Sequence, residues 1–108
     1  MIAKERTEKR GPVRVTFKLP SAIWVERVNL VGDFNDWDTT ATPMTRSRAE
    51  ANWTLSIELE AGRRYRFRYL VDGEEWLNDW HPDDYIGNLY GSDDSVVDLT
   101  EFGESPLY

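Results

Sequence analysis

The chain contains no cysteine and only one histidine, His81, in 108 residues. Without thiols there is no disulfide framework, no cysteine nucleophile and no thiolate metal site. A histidine without a second histidine does not build a zinc site. No apolar run approaches the ~20 residues that cross a bilayer as a helix, and the N-terminus lacks the apolar centre of a signal peptide. The chain therefore reads as cytoplasmic, with no membrane partner. Basic residues are missing from everything after Arg68: all 13 Lys and Arg lie at or before it, while more than half of the 20 acids follow it. The net charge of −7 argues against a nucleic-acid partner, because phosphate binding rests on clustered Lys and Arg. A convincing helical period is also missing, as are internal repeats and low-complexity segments.

What is present is period two. In Arg64–Val71, Tyr65, Phe67, Tyr69 and Val71 fall on one side of an extended strand, with Arg64, Arg66, Arg68 and Leu70 on the other. That is the pattern of a half-buried strand. Asp72-Gly73 then supplies a turn that tolerates positive φ, and Trp76 stands just past it. The arginines either lie near the C-terminal acids as exposed ion pairs, worth about 0–1 kcal/mol each, or form an anion site at Arg64–Arg68.

Residues 1–11 are charged, mixed in sign and nearly free of apolar side chains, and read as a flexible tail. Val13, Val15, Phe17 and Leu19 alternate with polar residues and form a strand that Pro20 stops. Residues 21–26 read as a loop with Trp24 partly buried. Arg27–Gly32 is a second strand, with Gly32 marking a close backbone approach or a bend. Asp33–Asp38 is a polar loop with two aromatics. Phe34 is expected to plug the end of the core, and Trp37 either does the same or stands at the surface. Thr42–Thr45 is at most a short strand, and Ser47–Asn52 a turn. Trp53, Leu55, Ile57 and Leu59 alternate in another strand, and Glu60–Gly62 reads as a tight turn that pairs it with Arg64–Val71 as a hairpin. Leu77–Asp94 reads as irregular, Ser95–Leu99 as the last strand. The predicted fold is an all-β antiparallel sandwich over residues 12–100, with a loosely held C-terminal tail at 101–108. Val15, Phe17, Val28, Leu30, Leu55, Ile57, Tyr65, Phe67, Tyr69 and Val97 are the expected core.

Three kinds of chemistry compete for the loops. Paired carboxylates could serve a glycoside hydrolase, but loop acids are usually turn formers, and no nucleophile-elbow motif accompanies His81. Asp83, Asp84, Asp93 and Asp94 offer oxygen ligands for calcium, but their spacing is not that of an EF-hand loop. Neither a metal, nor any cofactor, nor catalysis is expected. Trp37, Trp76 and Trp80 lie in polar contexts and are either core plugs or platforms. A surface indole offers a flat apolar face at low conformational cost, which suits the CH face of a pyranose, and Arg68 supplies fixed donors for hydroxyls.

Val31–Trp37 (VGDFNDW), Tyr65–Gly73 (YRFRYLVDG), Trp76 with Asn78-Asp79, and Gly91–Val97 (GSDDSVV) together resemble carbohydrate-binding module family 48, the glycogen-binding or isoamylase N-terminal early-set domain. The resemblance runs from about Val13 to Leu99 and is nearest to small stand-alone bacterial members. It implies an immunoglobulin-like sandwich that binds α-1,4-linked glucans such as glycogen, starch or maltooligosaccharides without catalysis. By the same resemblance Trp37 and Trp76 match the stacking tryptophans, and Arg68 the basic residue before the Val-Asp-Gly turn. Asp94 stands where the family has a sugar-binding Asn, a departure, since a carboxylate cannot donate as an amide does. Tyr90 takes the place of a bulky residue leaning over the sugar. A glycogen-metabolising enzyme is the expected protein partner. The alternatives are a module of this fold that binds a protein instead of glucan, and a small hydrolase.

Overall fold

The computed structural model describes residues 1–6, 11–20 and 25–102. The expectations for Trp24, for residues 7–10 of the tail and for residues 103–108 lie outside the described residues. The strands are β1 (Ile2–Arg6), β2 (Val13–Pro20), β3 (Val28–Gly32), β4 (Thr45–Ser47), β5 (Asn52–Leu59), β6 (Arg64–Val71), β7 (Glu75–Leu77), β8 (Asp84–Gly87) and β9 (Asp93–Asp98). One sheet runs β1-β2-β5-β4 and the other β3-β6-β9-β8, with β7 also on β6. Every pairing is antiparallel. This is an immunoglobulin-like β-sandwich, and its core follows from the alternation. Val13, Val15, Phe17 and Leu19 of β2 face Val28 and Leu30 of β3, Tyr65, Phe67, Tyr69 and Val71 of β6, and Val97 of β9. Leu55 and Ile57 are only partly buried but pack against this cluster. Phe67 is its hub, 5.0 Å edge-on from Phe17 and 5.7 Å from Tyr69. Burying such a ring contributes about 2–3 kcal/mol relative to leaving it exposed.

Three expectations need correction. The first concerns the tail: residues 2–6 form β1, paired along β2 from Ile2↔Phe17 to Arg6↔Val13. The pattern hides because the half-buried side is Ile2, Lys4 and Arg6. Their charged heads reach the other sheet's end, Lys4 Nζ to Asp98 O (3.0 Å) and Asp83 (2.8 Å), Arg6 Nη1 to Phe102 O (2.6 Å). Long aliphatic stems can cover apolar surface while their heads stay polar, and charges directed inward also protect an edge strand from foreign pairing.

The second concerns the hairpin. β5 and β6 do not pair; they lie in opposite sheets. Gly62, at φ +86, turns the chain across the sandwich. The crossing is held by Gly62 N to Leu99 O (2.8 Å), Leu99 N to Arg63 O (2.9 Å) and Tyr65 Oη to Glu60 O (2.7 Å). A hairpin would set both apolar faces side by side, whereas the crossing sets them face to face. The third concerns Leu77–Asp94, which contains β8. Asp84–Gly87 is exposed except at Ile86, so it carries no apolar alternation, and its strand character comes from backbone bonds to β9. In a smaller shift, the chain bridges Asn29 at Pro43 and then joins β5 at Thr45, so it changes sheets where a single short strand at Thr42–Thr45 was expected.

The arginine row of β6 meets the C-terminal acids. Arg64 lies 2.6 Å from Asp84 and 3.5 Å from Asp98, and Arg66 3.8 Å from Asp94. The Arg64 side-chain hydrogen bond, followed by the Tyr85 N–H, holds the Asp84 carboxyl below the usual carboxylate range. A depressed folded-state value stabilises the fold above the unfolded value near 3.9 and is lost as pH falls through the folded one. Asp84→Asn is therefore expected to flatten the loss of stability below about pH 4 in thermal melts run from pH 5 downward. An unchanged acid limb would remove Asp84 from the account.

Candidate ligand-binding groove

β6 is the strand that assembles the site. Along one edge it pairs with β3; along the other, β9 covers Arg64–Phe67 and β7 covers Tyr69–Val71. Arg68 stands at the junction. Directly opposed residues share a face, so Arg68 lies beside Val31, and Leu70 lies between Asn29 and Trp76. All of them are on the outer face, away from the core.

The loop after β3 builds the first wall. Gly32 is fully extended at φ −174, so its need for glycine is one of space. A Cβ there would run into the Arg66 carbonyl and come within 2.9 Å of Phe67 Cβ. The Asp33 carboxylate then accepts from the Arg66 backbone N–H (2.8 Å) and from the Trp37 indole N–H (3.1 Å). Phe34 turns inward, 5.9 Å from Phe17 and 6.2 Å from Tyr65. Asn35 ties the loop down, accepting from Gly32 N and donating to Leu30 O and Thr42 Oγ1. Asp36 and Trp37 both take positive φ, 55 and 58. Such a backbone on a bulky residue costs about 1–3 kcal/mol and is kept where its surroundings hold it. Here the Trp37 N–H to Gly32 O bond of 2.9 Å does so, leaving the half-buried indole with a face to solvent.

The second wall is the β6–β7 hairpin. Asp72 and Gly73 carry φ of 53 and 71, the two positive values that a tight type I′ hairpin turn requires. The Asp72 carboxylate accepts from Glu26 N (2.8 Å) and Arg27 N (2.9 Å), fastening the hairpin to the start of β3. Trp76 projects from β7 with 42% of its surface exposed.

The third wall is the loop between β8 and β9. Asn88 organises it, its carbonyl accepting from Tyr90 N (2.9 Å) and Ser92 N (3.3 Å), its amide donating to Ser92 Oγ (3.0 Å) and Asp94 Oδ1 (3.1 Å). Leu89 and Tyr90 at the tip are almost wholly exposed, at 99% and 93%. On the floor, Arg68 Nη2 donates to Ser92 Oγ (2.6 Å) and to Asp93 O (2.5 Å). Its Nε lies 2.9 Å from Asp94 Oδ1 but off the line of a hydrogen bond, so this contact is ionic. Arg68 Nη1 has no partner among the described residues and is left as an open donor.

The result is one groove of about 620 Å³ lined by Trp37, Thr39, Arg68, Trp76, Asn88, Tyr90, Ser92 and Asp94, within the usual 300–1,000 Å³ of small-molecule sites. All five residues named from sequence, Trp37, Arg68, Trp76, Tyr90 and Asp94, stand on it, brought from four separated segments. Trp80 does not; it is 71% exposed on the loop after β7. Thr39, Asn88 and Ser92 escaped the sequence reading. Asn88, between Gly87 and the Gly91-Ser92 turn, reads only as a turn former. Of the other acids, Asp83 is paired with Lys4 and Asp84 with Arg64. Among the described residues no three His, Cys, Asp or Glu gather as for a metal ion, and no helix is long and apolar enough to cross a membrane.

A small antiparallel sandwich that shows aromatic faces and fixed polar groups in an open groove is built as a binding module. Residues 7–86 match the model of the carbohydrate-binding module 48 family, the isoamylase N-terminal domain, and the chain belongs to that family. Similar curated proteins include the 1,4-alpha-glucan branching enzymes GlgB of Thiobacillus denitrificans, 45% identical over 53 residues (45% of this chain, 7% of that protein), and of Burkholderia cenocepacia, 39% over 62 (52% and 8%). GlgB 2 of Rhizobium johnstonii is 42% identical over 57 residues (49% and 8%). The matched stretch spans less than a tenth of each of these relatives.

Proposed function

We propose that this chain is a non-catalytic module that binds α-1,4-linked glucan, glycogen, starch or a maltooligosaccharide, in the groove between Trp37 and Trp76. The observation that carries the reading is the convergence of both indoles, Arg68, Asp94 and Tyr90 on one wall-and-floor arrangement. The two indoles stack on the apolar faces of glucose rings. Arg68 Nη1 donates to hydroxyls, Asp94 accepts from them, and the Tyr90 ring leans over the sugar. The donor that an amide at Asp94 would give is replaced by Arg68, whose guanidinium is fixed by Ser92 and Asp93. Each stack is worth about 1 kcal/mol and each hydrogen bond about as much, which gives sub-millimolar affinity. The relatives are named for acting on 1,4-alpha-glucan, which supports the polymer class. The same reading places the module in the cytoplasm, on a polysaccharide rather than a membrane or a nucleic acid, and makes a glycogen-metabolising enzyme its candidate protein partner.

Titration with maltoheptaose or β-cyclodextrin, followed by tryptophan fluorescence, tests this. Saturable binding is expected, weakened about fivefold in Trp37→Ala. The exposed Leu89 and Trp80 favour one competing reading, a protein-binding module of the same fold. Binding to a glycogen synthase or phosphorylase with no response to free glucan would establish that reading instead.

A further inference from the structure

The outer face carries a second concavity, of about 610 Å³, on the far side of Trp76. It is lined by Arg27, Asn29, Thr40, Pro43 and Leu70, and it shares Thr39 and Trp76 with the first groove. Sheet register explains the sharing. Asn29, Leu70 and Trp76 form one row across β3, β6 and β7, next to the row that holds Val31 and Arg68. Trp76 therefore rises between two troughs and is a wall of each.

The polar groups of the two troughs differ. In the first, Arg68 and Asn88 already hold Ser92, Asp93 and Asp94. In the second, Asn29 is only 8% exposed, yet its side-chain amide has no hydrogen-bond partner among the described residues. The amide atoms keep contact with solvent, so they stand free to donate to and accept from a ligand in the trough. Arg27 has no carboxylate within ion-pair reach among the described residues, and its guanidinium lies over Gly73. No acid lines this trough. Leu70, Pro43 and one side of Trp76 supply apolar surface beside these groups. An amide that donates and accepts, the Thr40 hydroxyl, which donates to Asp38 Oδ1 and is left to accept, and a guanidinium that donates, set against an indole, match a ring with neighbouring hydroxyls and an apolar face.

We infer that the trough of Arg27, Asn29 and Leu70 is a second glucosyl-binding site, continuous with the first across Trp76, so that one glucan occupies both sides of the indole. This rests on the glucan reading of the first groove and adds a length dependence to it. A short oligosaccharide fills one trough, and a longer chain or a branch reaches the other.

The test compares maltotriose, linear maltoheptaose and a singly α-1,6-branched heptasaccharide on the full chain and on Arg27→Ala, whose side chain is exposed. Heptasaccharide affinity over maltotriose affinity is expected to fall about fivefold in Arg27→Ala, with maltotriose binding unchanged. Whether the linear or the branched sugar loses more tells which reaches the second trough. The Asn29 side-chain amide resonances of the unaltered protein should shift with heptasaccharides and stay still with maltotriose. If maltotriose binds through Trp37 but the affinity ratio and the Asn29 resonances do not respond, the second site is wrong and the first stands. If inorganic phosphate moves the Asn29 and Arg27 signals and sugar does not, the trough is an anion site and the inference is overturned. If no sugar binds at all, both readings fall together.

Discussion

Alanine at Trp76 is expected to remove detectable maltoheptaose binding while the chain keeps its fold. The residue sits on a three-residue strand at the edge of β6, outside the core, with 42% of its surface exposed. Truncation there should cost about 0.5–1 kcal/mol of stability, a shift of a few degrees in melting temperature. For binding the loss is larger than at Trp37, because Trp76 walls both troughs. Two stacking contacts of about 1 kcal/mol each vanish together, a weakening of roughly thirtyfold. From sub-millimolar affinity that is a dissociation constant in the tens of millimolar, where titration shows no curvature. Trp76→Phe, which keeps a smaller aromatic face, should restore part of the affinity. Calorimetry with maltoheptaose decides it. An alanine variant that melts normally and binds as tightly as the parent would mean that the indole is no platform, and the groove would need another ligand.

Why these residues converge could not be read along the chain. Alternation made β2, β5, β6 and β9 legible, and with them most of the core, because one face of each must leave water. It could not say which strands share a sheet. Leu59 and Tyr65 have the same pattern whether the chain between them closes a hairpin or crosses the sandwich, and the crossing depends on bonds to Leu99, 37 residues beyond Gly62. Nor could it find β1, whose inward side chains are Ile2 and the charged Lys4 and Arg6, or β8, which has almost no buried face. Trp37 and Trp76 stood out as aromatics in polar segments, but plug and platform give the same composition. The difference is a positive φ at Trp37 and a carboxylate, Asp33, that accepts a hydrogen bond from its indole N–H. Asn29 was invisible for the opposite reason: on an alternating strand it occupies an ordinary outward polar position. Only the register with Leu70 and Trp76 gives it a trough to line.

Asp79→Ala is the substitution expected to cost most in stability, and to weaken binding without touching ligand. Asp79 is 1% exposed. Its Oδ2 accepts from Tyr69 Oη (2.6 Å) and from the Met1 amino group (2.5 Å), and its Oδ1 from His81 N (2.8 Å). Burial, reinforced by the adjacent Asp79 charge, pushes the Tyr69 phenol far above the ordinary tyrosine range. It therefore stays protonated and donating at neutral pH, and the stability tied to it fades only as pH rises past the usual tyrosine value near 10. Alanine leaves this core hydroxyl with no acceptor, a loss of about 3 kcal/mol or more, or roughly 15 °C in melting temperature. The damage spreads to the groove by a short route. Asp79 N donates to Ser95 Oγ, which donates to Asn78 Oδ1, and Asn78 Nδ2 donates to the same Asp93 carbonyl that Arg68 holds. Loosening Asp79 slackens the joint between the end of β7, which carries Trp76, and β9, which carries Asp94. Maltoheptaose binding should weaken severalfold below the melting transition, and Asp79→Asn, which still accepts from Tyr69, should recover part of both losses. The Tyr69→Phe cycle separates the two effects. In the Asp79→Ala background it should cost far less than it does alone, since the hydroxyl it deletes is already unpaired. Strict additivity of the two substitutions would show that the phenol and the carboxylate do not act as a pair.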